Sequence, residues 1–145
     1  MKICVYSLAR TRANYLEQGE TEFIKRMSRG WSVTINELDS SKFSQLKTEE
    51  QRTKEASLVL AKLSPRDFAV VLDESGQGFS SSEFATKIQK VMNQGSSSVV
   101  FCIGGTNGWS KEVIDRANLV LSLSPLTFTA QIARFVLLEQ LYRAY

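Results

Sequence analysis

The stretch Ser98-Val99-Val100-Phe101-Cys102-Ile103, followed at once by Gly104-Gly105-Thr106-Asn107-Gly108, decides the fold class of this chain. Its first six residues carry no charge and are mostly apolar, which is typical of a parallel strand that is covered on both faces. The glycines predict either a tight turn or a loop whose backbone a ligand can approach, because Gly104 and Gly105 have no Cβ. The spacing Gly-Gly-x-x-Gly matches neither the dinucleotide fingerprint nor a P-loop, so the motif alone leaves both interpretations open.

Four further segments have the pattern of strands. Phe68 to Leu72 and Leu119 to Leu123 are apolar runs like the first, and Lys2 to Ser7 reads as a short buried strand. Trp31 to Leu38 alternates apolar and polar residues, which favours a half-exposed edge strand. Because helical patterns separate these strands, we predict a single α/β domain over residues 1–145, with a mostly parallel five-stranded sheet and helices on both faces.

The helices are marked by their boundaries. Ser80 or Ser81 is predicted to cap one helix and Gly95 to end it, and a second capping pattern begins at Thr48. The predicted helices span Arg12 to Met27, Thr48 to Lys62, Ser80 or Ser81 to Gly95, Ser110 to Arg116, and Thr129 to the end of the sequence.

Composition excludes several classes of function. The 145 residues include 18 Lys and Arg, 15 Asp and Glu, and no His, which rules out a Ser-His-Asp triad, a Cys-His pair and a His-ligated zinc site. Cys4 and Cys102 lie in apolar runs and are expected to be reduced core residues, so no metal site is apparent. The net charge of +3 permits a nucleic-acid partner without requiring one. No segment has the pattern of a signal peptide or a membrane span, so we expect a cytoplasmic protein.

Three predicted loops follow the carboxyl ends of strands that a parallel sheet places at one edge. They are Leu72 to Gly78, Gly104 to Trp109 and Leu123 to Phe128. Open parallel sheets bind ligands at this edge, so the loops are expected to converge on one crevice. Arg134 follows the third loop and is expected to bring a fixed positive charge close to it.

Four strings occur in order along the chain. They are Leu72-Asp73-Glu74-Ser75-Gly76, Phe101-Cys102-Ile103-Gly104-Gly105-Thr106-Asn107-Gly108, Leu121-Ser122-Leu123-Ser124-Pro125-Leu126-Thr127-Phe128 and Leu138-Glu139-Gln140-Leu141-Tyr142-Arg143-Ala144. In that order they resemble the ribosomal RNA large subunit methyltransferase H family, small enzymes of the SPOUT class, and the resemblance extends over essentially the whole sequence. The ordered set is far more specific than any one string.

The resemblance implies a fold and an activity. It implies a SPOUT α/β domain with a trefoil knot in its C-terminal part, S-adenosylmethionine (SAM) as cofactor, and a homodimer that acts on the assembled ribosome. The implied reaction is methylation of N3 of a pseudouridine in large-subunit (23S) ribosomal RNA. The family's cofactor contacts correspond to Leu72, Gly104, Leu123, Ser124, Pro125, Leu126, Thr127 and Phe128. We add Gly105, which follows Gly104 in the glycine turn, residues 104–108.

The implied reaction assigns roles to three residues near the end of the chain. Methyl transfer from a sulfonium ion requires the protein to hold the nitrogen close to the methyl carbon and to favour loss of the N3 proton. We predict that Arg134 stabilises charge electrostatically or binds a phosphate, and that Tyr142 and Arg143 position the substrate. A plain structural role is an equal alternative for each of them.

Two features depart from the family's pattern. Members commonly carry a His just before the position of Gln131, where this sequence has Thr129-Ala130-Gln131. Members also usually continue past the Tyr-Arg-Ala motif into a tail that contains Pro-Tyr-His, whereas this sequence ends at Tyr145. These departures keep open a second interpretation, a catalytically degenerate SPOUT-like module that binds RNA or the ribosome. A third is an unrelated small nucleotide-binding α/β protein.

Overall fold

The computed structural model describes residues 1–96, 98–105 and 107–145, and its centre is one parallel β-sheet. The strands are β1 (Lys2–Ser7), β2 (Ser32–Glu37), β3 (Phe68–Gly78), β4 (Val99–Ile103) and β5 (Leu119–Ser122). They lie in the order β2-β1-β4-β3-β5, and every neighbouring pair is parallel. The predicted five-stranded parallel sheet is therefore confirmed, with β2 at an edge as its alternating pattern indicated.

The described part of the chain also forms five α-helices. They are α1 (Asn14–Met27), α2 (Thr48–Leu60), α3 (Ser81–Asn93), α4 (Lys111–Arg116) and α5 (Ala130–Ala144), and a short 3-10 turn, Ser41–Phe43, precedes α2. None of the helices in these ranges combines the length and the apolar character that crossing a bilayer requires.

The sheet is buried on both faces because successive strand residues point into two different cores. One core packs residues such as Val5 and Phe101 against α1, α3 and α5. The other packs the intervening residues, Cys4 and Cys102 among them, against α2 and α4, where Val59 is fully buried. Both cysteines are free and buried, as the sequence indicated. The helices therefore cover both faces, and the carboxyl edge of the sheet is left for loops.

Strand β3 is longer than predicted. The sequence predicted that the strand ends at Leu72 and that a loop follows to Gly78, but the strand itself continues to Gly78. Its second half pairs with β5 after a shift in register between Leu72 and Gln77. Gly76 permits this close approach, because a Cβ there would lie 2.6 Å from the carbonyl oxygen of Val120. The extension therefore depends on a contact with a distant strand, which the local pattern does not contain.

The helix N-termini agree with the sequence in part. Ser80 caps α3 as predicted: its hydroxyl accepts the backbone N–H of Glu83 at 3.1 Å, and the Glu83 carboxylate accepts the backbone N–H of Ser80 at 2.8 Å. The capping pattern predicted at Thr48 was wrong. Thr48 is already the first helical residue of α2, and Lys47 before it makes no side-chain cap.

Candidate functional site

A cavity of about 680 Å³ opens at the carboxyl edge of the sheet, beyond β3, β4 and β5. This volume lies within the range of pockets that hold small molecules and cofactors, about 300 to 1,000 Å³. Three segments contribute most of its wall: the middle of β3, the glycine turn after β4, and the loop after β5. The structure thus brings together the three segments that the strand-end argument selected.

Most of the residues predicted to contact a cofactor lie in the wall of this cavity. Pro125 is the exception, because it is exposed between two lining residues and does not line the cavity itself. Thr106 of the glycine motif lies outside the described residues. The binding of a cofactor by these residues stays a prediction. The predicted residues that line the cavity are Leu72, Gly104, Gly105, Leu123, Ser124, Leu126, Thr127 and Phe128.

Gly104 lies against the indole ring of Trp109, which forms part of the cavity wall. A Cβ at Gly104 would stand 3.1 Å from the indole Nε1, so glycine is what allows the backbone to pack at this distance. Trp109 is 7% exposed, and its Nε1 has no hydrogen-bond partner in the described part of the chain. A buried N–H without a partner is a donor that a bound ligand can use.

The loop after β5 is held in shape by its own side chains and by β3. The Ser122 hydroxyl donates to the carbonyl oxygen of Ser124 at 3.1 Å, and the Ser124 hydroxyl accepts the backbone N–H of Leu126 at 2.9 Å. The Thr127 hydroxyl donates to Glu74 Oε2 at 2.6 Å, which ties the loop to β3. These contacts hold the loop in place at the cavity wall.

Helix α2 contributes to the site in a way that the sequence analysis missed. Glu55 is 2% exposed and lies behind Gly105, where a Cβ would be 3.5 Å from Glu55 Oε2. Burial raises the pKa of this carboxyl above its usual value, because desolvation disfavours the charged form. The Gln51 side chain donates to Glu55 Oε2 at 3.4 Å and accepts the amide N–H of Asn107 at 2.9 Å, and Arg52 lines the cavity.

The sequence carries little signal for these residues. Two strands and a helix separate α2 from the glycine turn, and no motif links the two segments. One hint is that Glu55 and the fully buried Val59 are four residues apart and share a helix face. A carboxylate on the buried face of a helix indicates a polar partner or a site nearby.

Arg134 lies outside the cavity wall, in a buried cluster with two carboxylates. Its Nε is 2.8 Å from Glu20 Oε2 on α1, and its Nη1 is 2.9 Å from Glu37 Oε2 at the end of β2. Nη1 also donates to the carbonyl oxygen of Ala9 at 3.0 Å. Arg134 therefore does not bring the expected free positive charge to the crevice of its own chain, because both carboxylates pair with it. The predicted catalytic role of Arg134 stays a prediction.

Tyr142 and Arg143 also lie away from the cavity of their own chain. The Tyr142 ring packs on Phe23 with centroids 5.6 Å apart, and the Arg26 guanidinium lies 5.7 Å from the centre of the Tyr142 ring. The exposed Arg143 pairs with Glu139 at 2.7 Å. One chain alone does not bring these two residues to the predicted cofactor contacts, and their role in positioning a substrate stays a prediction.

The parallel sheet carries a cavity at its carboxyl edge, with a wall of glycine backbone, apolar side chains and a few charged groups. This arrangement is typical of the class of α/β proteins that bind a small molecule or cofactor at that edge. The described residues contain no group of three or more Cys, Asp or Glu side chains that could hold a metal ion. Over residues 1–145 the chain matches a family described as "Predicted SPOUT methyltransferase". The chain belongs to the SPOUT methyltransferase family.

Relatives from three bacteria carry the name ribosomal RNA large subunit methyltransferase H. The chain is 44% identical over 144 residues to the protein of Trichlorobacter lovleyi, an alignment that covers 99% of this chain and 93% of that protein. It is 38% identical over 149 residues to the protein of Streptococcus gordonii and 36% identical over 149 residues to that of Carboxydothermus hydrogenoformans, with 100% of this chain and 94% of each protein covered. The resemblance drawn from the four strings is thereby confirmed.

Proposed function

We propose that this chain transfers the methyl group of SAM to N3 of a pseudouridine in large-subunit ribosomal RNA. One observation carries the proposal: the cavity is built from the segments that hold the family's motifs, in a chain that aligns almost end to end with proteins named ribosomal RNA large subunit methyltransferase H. The proposal includes a homodimer that acts on the assembled ribosome in the cytoplasm, and a trefoil knot in the C-terminal part of the fold.

The chemistry of the cavity wall fits SAM. Apolar side chains such as Leu123 and Phe128 suit the adenosyl group, and the backbone at Gly104 is open to polar contacts because no Cβ covers it. Asp73 and Glu74 place carboxylates in the wall, which suits the sulfonium and ammonium groups. When bound, SAM supplies an electrophilic methyl group on a positively charged sulfur. The residues of the chain hold and orient it, and the hydrogen bond that ties the loop after β5 to β3 supports this role.

In the proposed homodimer, a second copy of the chain completes the site. This accounts for the distance of Tyr142 and Arg143, the residues predicted to position the substrate, from the cavity of their own chain. Arg143 lies in the last turn of α5, and its side chain is 64% exposed. Leu126 in the cavity wall is 72% exposed and Tyr15 on α1 is 73% exposed, so both leave apolar surface that a partner can cover. Packing of these residues against a partner would bury apolar surface and allow α5 of one protomer to approach the cavity of the other. Sedimentation velocity should then give the mass of two chains, and the mass of one chain would refute the dimer.

A methyl-transfer assay tests the proposed reaction. The purified chain is incubated with tritium-labelled SAM and with ribosomes whose large-subunit RNA lacks the modification. We expect label in the large-subunit RNA of assembled ribosomes and none when the ribosomes are already modified. Binding of both SAM and ribosomes without any transfer of label would contradict the proposed reaction and favour the degenerate RNA-binding module.

A matched pair of variants links that activity to the cavity. Gly104→Val adds a side chain whose Cβ would stand 3.1 Å from the Trp109 ring, and it should abolish both SAM binding and transfer. Gly78→Val adds the same group where no atom lies within 4 Å of the new Cβ, and it should keep both. Equal loss in the two variants would show that the effect is not specific to the cavity.

A further inference from the structure

Among the residues that the structure describes, Arg52 is the one cation in the cavity wall. It lies in the second turn of α2, and its half-buried side chain reaches the cavity from the helix that backs the glycine turn. Its Nε is shielded from solvent and has no hydrogen-bond partner in the described ranges. The ion pairs found in those ranges do not include Arg52, although Glu55 lies one turn further along the helix. The Arg52 guanidinium is therefore a cation that forms no ion pair with a described residue, and its Nε is a desolvated donor.

The other charged side chains in the wall are both acidic. Glu74 on β3 accepts a hydrogen bond from Thr127 at 2.6 Å, and Asp73 accepts the backbone N–H of Ser75 at 3.0 Å. The part of the wall that the structure describes thus offers one cation and two anions to a ligand. The amino-acid end of SAM together with its sulfur presents the complementary set, because it carries one carboxylate, one ammonium group and one sulfonium ion.

We propose that Arg52 binds the carboxylate of the amino-acid part of SAM. The inference rests on the proposed function, because it assumes that this ligand occupies the cavity. Guanidinium N–H groups match the two oxygens of a carboxylate in a bidentate contact, and a buried donor without a partner gains a charge-assisted hydrogen bond when such a ligand binds. A phosphate of the RNA substrate would be held by the same donors. However, Asp73 and Glu74 would repel a phosphate, whereas they attract the cationic groups of the amino acid.

Calorimetric titration with two ligands tests this contact without any need for turnover. S-adenosylhomocysteine carries the carboxylate, and its decarboxylated analogue lacks that group alone. The wild-type chain should bind S-adenosylhomocysteine about 10 to 100 times more tightly than the analogue. Arg52→Gln should lower the affinity for S-adenosylhomocysteine by a similar factor and leave the affinity for the analogue unchanged. Arg52→Lys should have an intermediate affinity for S-adenosylhomocysteine. Lys54→Gln removes the same charge from an exposed position on α2 that does not line the cavity, and it should change neither affinity.

Three results would overturn the inference. If Arg52→Gln weakens both ligands equally, the residue supports the wall and makes no contact with the carboxylate, and the proposed function still stands. If Arg52→Gln leaves both affinities unchanged and weakens ribosome binding, the guanidinium binds an RNA phosphate. If the wild-type chain binds neither ligand, the inference and the proposed function fail together.

Discussion

Replacing Arg134 by methionine removes the cation of a buried ion-pair cluster and keeps much of its apolar volume. The change leaves Glu20, which is 4% exposed, as an uncompensated buried carboxylate, whereas Glu37 is partly exposed and loses less. Breaking a buried pair in this way costs about 3 to 5 kcal/mol, a large part of the roughly 5 to 15 kcal/mol that stabilises a domain of this size. With an unfolding entropy of about 2.1 cal/mol/K per residue over 145 residues, the Tm should fall by about 10 to 16 °C.

Differential scanning calorimetry and urea titration measure this change, with two comparisons. Arg143→Met also removes an arginine of α5 that pairs with a carboxylate, but its side chain is 64% exposed, so stability should change by no more than about 0.5 kcal/mol. The double variant Glu20→Gln, Arg134→Met should be more stable than Arg134→Met alone, because the orphaned charge is gone. If Arg134→Met keeps the wild-type Tm while methyl transfer collapses, the guanidinium serves the chemistry and the structural assignment is wrong.

Three further predictions follow from packing and from shifted pKa values. Gly76→Ala places a Cβ 2.6 Å from the carbonyl oxygen of Val120 and should lower the free energy of unfolding, measured by urea titration, by about 1 to 3 kcal/mol. Gly78→Ala has open space around its Cβ and should change that free energy by less than about 0.5 kcal/mol. Burial raises the pKa of the Cys102 thiol from 9.0 to about 12, so the folded state holds this proton more tightly than the unfolded state does. The free energy of unfolding should therefore fall between pH 9 and 12, and it should fall less steeply in Cys102→Ala. Urea titrations across that pH range measure the difference. Burial raises the folded-state pKa of Glu55 above 4.5, so the stabilisation from its bound proton is complete below pH 4.5 and is lost as the pH rises through the folded-state pKa. Glu55→Gln should remove this loss. Free energies of unfolding that change with pH in parallel for the two chains would contradict the prediction.

The sheet and the position of the cavity at its carboxyl edge were predictable because their signals are local. The uncharged run that became β4 ends in adjacent glycines, and that sequence alone indicates a covered strand followed by backbone that a ligand can approach. The cap of α3 depends on Ser80 and Glu83, which are three residues apart. Each of these features is formed by residues close together in the chain, so a single sequence is enough to show it.

The features that the sequence did not reveal depend on contacts between distant segments. The second half of β3 is polar and contains Gly76, and only its pairing with β5 makes it a strand. Arg134 looks like a free cation in the sequence, because its partners Glu20 and Glu37 come from elements near the other end of the chain. Arg52 lines the cavity because α2 packs behind the glycine turn, and the one hint in α2, a carboxylate at Glu55 on the buried face, does not identify Arg52.

Mass spectrometry of the modified nucleoside tests the central claim most directly. Ribosomes that lack the modification are incubated with the chain and with SAM that carries a deuterated methyl group, and the large-subunit RNA is then digested to nucleosides. We expect one labelled product, pseudouridine with the methyl group on N3, and no product from the Gly104→Val variant. Label on any other nucleoside or atom, or label that persists in that variant, would contradict the assignment of this cavity to methylation of a pseudouridine.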